Sequence, residues 1–378
     1  MSSSKQQAQF PFIGSLLQGE RNAITDVEGV TVGHCTLADG PVQTGVTVVR
    51  PHAGDLFRDK VPAAAVVLNG FGKSVGLLQV EELGVLETPI ALTNTFSVGT
   101  VAAAQIRRCV ADNPETGRTL PTVNPLVFEC NDGFLNDIQR MAVSEADYLQ
   151  ALADAGVDFA QGSVGAGRGM SSFQLKGGIG SASRRVSARN DGTSGGLGGS
   201  KNTGTGGLHT VGALVLANYG RQPQLLLAGH AVGERLGALQ AERSLPAVNE
   251  AEKGSIIIVV ATDAPLDARQ LRRLALRAGA GLARTGSVFG HGSGDIVLAF
   301  STAYTVPGDV ARPMPAVAML HDGLLDGLFQ AAADSTEQAI IHALWRATPV
   351  TGRDGNHRAA LGELLPASTL FSSSNRHA

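Results

Sequence analysis

Apolar residues in this chain fall into short runs with two different periods. The strongest run is Ile256-Ile257-Ile258-Val259-Val260-Ala261, β-branched almost throughout and too short for a helix; it predicts a buried strand. Further runs at 43–50, 63–68, 89–93, 126–130, 208–217, 224–227 and 297–300 also predict strands. Helical spacing appears at 73–83, closed by Gly84, in an Ala-rich stretch at 98–109, and at 144–155. In the last of these Ser144 and Asp147 form a capping-box variant and Gly156 ends the helix. Beyond the 256–261 run, Asp263 and Pro265 mark a helix start, and Leu271, Leu274 and Ala278 keep helical spacing. Two helices, 324–333 and 336–347, are predicted near the end of the chain. Periodicity by itself therefore reads as α/β. Two stretches break the pattern. Residues 190–207 hold eight glycines in eighteen residues and predict a mobile surface loop. Residues 240–253 read as a polar linker.

Composition narrows the class. The chain has 378 residues, 43% hydrophobic and 17% charged, ample for a large core. Its 48 glycines and 4% aromatics predict close-packed backbone and tight turns, not a platform for stacking bases. A net charge of −3 without a basic run gives no electrostatic footprint for nucleic acid. Cys35, Cys109 and Cys130 form no C-x-x-C pair and predict reduced thiols in a cytoplasmic protein. Residues 1–20 show no apolar core of a secretory signal, and no stretch has the length of a membrane span. Rival motifs fail. Gly72-Lys73-Ser74 resembles the end of a P-loop, but the position five before Gly72 is Val67. Gly165 to Gly169 lacks dinucleotide spacing, and neither a Gly-x-Ser-x-Gly elbow nor His-Glu-x-x-His occurs. No metal or other cofactor is expected.

Candidate chemistry sits at one join. Gly254-Ser255 stands directly before the Ile256 run. Were the bond between them cut, Ser255 would carry a hydroxyl and a free α-amine at the tip of a strand. An α-amine titrates near pH ~7.7–8.0, so it can serve as base to the residue's own hydroxyl. The plainer reading is a tight turn into a strand. Downstream, Ser293-Gly294-Asp295 precedes the strand at 297–300 and could present a hydroxyl and a carboxylate to that tip. His291 beside it is read as structural or as a residue that supports the site without touching substrate.

These segments resemble the L-aminopeptidase/D-esterase and β-peptidyl aminopeptidase family. The resemblance is carried by Gly254 to Leu266, Ala283 to Ser287 and Gly292 to Asp295. It extends to Asn22 to His34, Asn69 to Lys73, Glu129 to Asp137, Lys176 to Gly180 and Val211 to Gly220. It implies an αββα sandwich of two central sheets flanked by helices, of N-terminal-nucleophile type. It implies cleavage between Gly254 and Ser255 into residues 1–254 and 255–378, which together form one composite domain. Ser255 would be the nucleophile, with Ser293 and Asp295 moving its proton; the family's acid is often Glu. Asn218 would donate to the oxyanion. Glu129 would meet the substrate's ammonium group. Some members place a tyrosine near the oxyanion, and 131–134 contains none. The expected activity is hydrolysis of small peptides, aminoacyl amides or esters with small N-terminal residues, by a tetramer of cleaved heterodimers. An acyltransferase of the ornithine acetyltransferase type, which uses Thr where this chain has Ser255, and a non-catalytic binder of small amino compounds are the alternatives. Preference for α- or β-amino acids, and for L or D, stays open.

Overall fold

The structure, a computed structural model, describes residues 12–187, 207–242 and 254–365. Positions 190–206 of the glycine-rich stretch and 243–253 of the linker fall outside them. Among the described residues nine strands exceed two residues: β1 (Thr31–Asp39), β2 (Val42–Arg50), β3 (Asp59–Gly70), β4 (Ile90–Asn94), β5 (Leu126–Cys130), β6 (Gly178–Ser187), β7 (Leu208–Asn218), β8 (Ser255–Thr262) and β9 (Gly294–Ser301). One sheet has the order β1-β2-β4-β5. The other runs β3-β9-β8-β7-β6, extended at β3 by two-residue strands Val85–Leu86 and Val306–Pro307. Within these orders only β4–β5 and β8–β9 are parallel. The α-helices longer than four residues are α1 (Leu77–Leu83), α2 (Val98–Asp112), α3 (Glu145–Ala153), α4 (Gly233–Glu242), α5 (Ala268–Ala283) and α6 (Leu325–Trp345).

Three buried apolar clusters fill the three gaps of a four-layer sandwich. Val46, Val48, Ala91 and Val127 pack under α2 and α3. Leu92, Phe128, Leu214, Ile257, Val259 and Leu298 lie between the sheets. Val215, Ile256, Ile258, Val260 and Val297 meet α5 and α6. Side chains alternate across a strand, so Ile256, Ile258 and Val260 go to the helices while Ile257, Val259 and Ala261 go to the other sheet. Burial on both faces is why β8 reads as a continuous apolar run. The αββα layering implied by the resemblance is present, and the α/β reading from periodicity is corrected, because most strand pairs are antiparallel.

Local differences have tertiary causes. The helix expected at 73–83 starts only at Leu77, because Val75 pairs with Val127 and Gly76 turns the chain at φ +95°. The helix after β8 is capped by Asp267, not Asp263, whose carboxylate accepts the Thr210 N–H at 2.8 Å instead. The strand expected at 224–227 shrinks to Leu226–Leu227, after a 3-10 turn at Gln222–Gln224. The two terminal helices are one, α6. The polar break between them finds partners: Asp334 pairs with Arg284 at 2.6 Å, and Ser335 donates to Val211 O at 3.2 Å. The capping box of Ser144 and Asp147 at the start of α3 is present.

Candidate active site

The mouth of β8 gathers the residues singled out in the sequence. Ser255 is the first residue of that strand; it pairs with Asn218 at the end of β7 and with Gly294 at the start of β9. The Gly294 N–H donates to Ser255 Oγ at 3.1 Å. On either side of Gly294, Ser293 Oγ donates to Asp295 Oδ1 at 2.5 Å. Ser255, Ser293 and Asp295 are all buried. Both glycines are needed for close approach. A Cβ on Gly294 would stand 2.7 Å from Phe71 O, and one on Gly254 2.1 Å from Asn218 O.

Asn218 has a fixed orientation. Its Oδ1 accepts the Ser171 N–H at 2.7 Å, so the amide NH2 faces the other way. Among the described residues that group donates once, to Asn131 O at 2.9 Å, which leaves its second N–H to give. Glu129, near the end of β5, is buried rather than solvated. Its Oε1 accepts the Lys73 N–H at 2.8 Å and its Oε2 accepts the Thr95 hydroxyl. A Cβ on Gly72 would lie 3.6 Å from Glu129 Oε1 and 4.0 Å from Gly294 Cα, so Gly72 stands between this carboxylate and the start of β9.

Supporting residues were not assigned roles from the sequence. Asn69 Nδ2 donates to Gly290 O at 2.8 Å and to Ser293 O at 2.5 Å, bracing the loop ahead of Ser293. A bulge in β3 positions it: Asp295 faces Asn69 while Ile296 faces Val67. Cys130 Sγ donates to Ser255 O at 3.4 Å. Burial, with Glu129 and Asp295 nearby, raises that thiol well above its ordinary range, so it stays protonated and unreactive. Tyr219 follows Asn218, but its hydroxyl meets Thr285 Oγ1 at 2.6 Å in the core. His291 is exposed, its ring 6.2 Å from that of Phe71. Among the described residues no histidine hydrogen-bonds Ser255 Oγ, and no group of three or more His, Cys, Asp or Glu could hold a metal ion. None of the described helices is long and apolar enough to cross a membrane. A cavity of about 700 Å³ opens beside the site, lined by Gly254, Asn218, Asn131, Ser171, Phe134 and Arg358 among others.

Comparison with known proteins gives the family and the fold. Residues 22–358 match peptidase family S58. The chain is 39% identical over 363 residues to the beta-peptidyl aminopeptidase BapA of Sphingosinicella microcystinivorans, covering 91% of this chain and 86% of that one. A beta-aminopeptidase from Burkholderia sp. superposes with a TM-score of 0.82 at 41% identity, over 94% of this chain and 96% of the other. The L-aminopeptidase D-Ala-esterase/amidase of Ochrobactrum anthropi, described as a variant of the Ntn hydrolase fold, gives 0.81 at 34% identity, over 95% of each chain.

Proposed function

The chain belongs to peptidase family S58 and is an aminopeptidase by that membership, and from this premise we propose that it matures by cutting itself between Gly254 and Ser255 and then works through an acyl-enzyme on Ser255. The observation that carries the reading is the position of Ser255 at a strand mouth, between Asn218 and Gly294, with no histidine among the described residues hydrogen-bonded to its Oγ. In the precursor, Ser255 Oγ attacks the Gly254 carbonyl carbon. The peptide C–N bond breaks, which frees the Ser255 α-amine and leaves Gly254 as an ester on Oγ; water then splits the ester to give the Gly254 carboxylate and the free Ser255 hydroxyl. In the mature enzyme that amine takes the proton from Oγ as Oγ attacks the substrate carbonyl. The second N–H of Asn218 donates to the oxyanion. The amine, held by Ser293 and Asp295, returns the proton to the leaving nitrogen, and water then releases the acyl group.

Glu129 accepts the substrate's free ammonium group, which makes the enzyme an exopeptidase. Small N-terminal residues are the proposed substrates. The beta-aminopeptidase relatives support inclusion of β-amino acids. Intact-mass analysis with a substrate panel tests the reading. The purified protein should give a fragment beginning Ser-Ile-Ile-Ile, Ser255→Ala should stay whole and inactive, and wild type should cleave alanyl- or β-homoalanyl-p-nitroanilide but not the N-acetylated compounds. A fully active uncut chain, or equal hydrolysis of acetylated substrate, would overturn it.

A further inference from the structure

The cavity beside Asn218 and Gly254 has a wall that the hydrolytic steps do not use. Among the described residues that line it, Arg221, Arg353 and Arg358 stand against one carboxylate, Asp137, which is already paired with Arg140 at 2.9 Å. Arg358 is only 4% exposed. Its guanidinium lies 3.6 Å from the ring centroid of Phe134, and its Nε donates to Ser171 Oγ at 3.2 Å. Ser171 in turn donates its N–H to Asn218 Oδ1. A buried, stacked guanidinium thus stands two hydrogen-bonded steps from the amide assigned to the scissile carbonyl. Arg353 lies in the same hairpin, built from Val350–Thr351 and His357–Arg358. The hairpin is fixed to the loop after β5: the Arg353 N–H donates to Leu135 O at 2.8 Å, and Asn356 Nδ2 donates to Phe134 O at 2.9 Å. The Arg353 side chain meets Asp354 at 3.5 Å, a weak pair because Asp354 is well exposed, and its buried Nε makes no hydrogen bond.

We propose that this basic wall binds the α-carboxylate of the leaving amino acid, so that the enzyme is built for free dipeptides rather than for amides or esters. The proposal rests on the aminopeptidase reading. A planar guanidinium matches a carboxylate through paired N–H donors, and Arg358 is held in one orientation by Phe134 and Ser171. In a dipeptide the carboxylate lies one residue, at most about 3.6 Å of chain, beyond the scissile nitrogen. A p-nitroanilide or a C-terminal amide offers no charge there, and a tripeptide carries its charge a residue too far. Glu129 at the amine and the arginines at the carboxylate would then clamp both ends of a two-residue substrate.

The test compares kcat/KM for β-homoalanyl-leucine, its C-terminal amide and β-homoalanyl-p-nitroanilide, with wild type, Arg353→Met and Arg358→Met. Wild type should prefer the free acid over the amide by on the order of tenfold. Each variant should bring that ratio toward one, a readout that a general loss of folding would not move. Arg353→Met keeps the test open if Arg358→Met fails to fold. Equal use of acid and amide by wild type, or a ratio unchanged in Arg353→Met, would overturn the proposal. No hydrolysis of any of the three compounds by wild type would remove the aminopeptidase reading and the proposal with it.

Discussion

Asp295 shares its hydroxyl partner Ser293 with no other carboxylate among the described contacts, and the pair sits next to Gly294, whose N–H holds Ser255 Oγ. Asp295→Asn should therefore preserve the fold but lower turnover on the order of 10²-fold, the usual scale for lost acid–base assistance, as measured by steady-state kinetics. Activity of the wild type should fall as pH drops through the α-amine's titration near pH ~7–8. Glu129 gives a different outcome. Glu129→Gln should lower kcat/KM on p-nitroanilides while leaving self-cleavage intact, because maturation involves no substrate ammonium. A variant that cuts itself poorly would remove Glu129 from substrate binding and make it a folding residue. Gly254-Ser255 and Ser293-Gly294-Asp295 were legible because each is a short local pattern beside a strand. Asn69 and Thr95 were not. They reach the site through a bulge and through the β4–β5 pairing, and a single Asn or Thr at a strand end carries no mark of that distant partner.

At the level of elements, β8 and β5 were readable to within a residue, because their burial on both faces leaves an uninterrupted apolar signal. Helix α6 was not. Its buried polar residues look like a break until their partners just past the end of α5, on β6 and on β7 are known. One of them sets a pH limit. His342 Nδ1 donates to Ser181 O at 2.7 Å, and its Nε2 accepts from Gln338 at 3.1 Å. Burial, with Arg346 and Arg184 nearby, lowers its pKa from 6.5 to about 4. The unfolded chain therefore takes up a proton below about pH 6.5 that the folded chain refuses. Its contribution to stability is complete above pH 6.5 and is lost as pH falls from 6.5 to about 4, on the order of 3 kcal/mol in all. Buried Asp132, raised to about 7 by desolvation, has the opposite slope, so the wild type alone does not isolate either group. Thermal melts of wild type and His342→Gln at pH 7.5 and 4.5 should show a smaller drop in Tm for the variant. Equal drops would mean that His342 is not the group responsible.

For the molecule as a whole, the proposed cut divides 378 residues into 254 and 124, yet it falls inside a sheet rather than between domains. Strand β8 of the smaller piece lies between β9, its own, and β7 of the larger. Helix α6 of the smaller piece packs on β6 and β7 of the larger. The two pieces should co-elute under native conditions and part only in denaturant; we further expect four such pairs to assemble, which light scattering against the 38.9 kDa chain mass would measure. The place of β8 also alters what unfolding means. Before the cut, the partners of this central strand are tethered and return to it at a rate independent of concentration. After the cut, renaturation becomes an encounter between two molecules, each with an unpaired central edge. The mature enzyme is then held in its fold by the slowness of leaving it, not by an equilibrium it can re-enter alone. Recovery from urea should rise with protein concentration for the processed enzyme and stay flat for Ser255→Ala. The chain would thus carry its folding instructions once, and discard part of them when it becomes active.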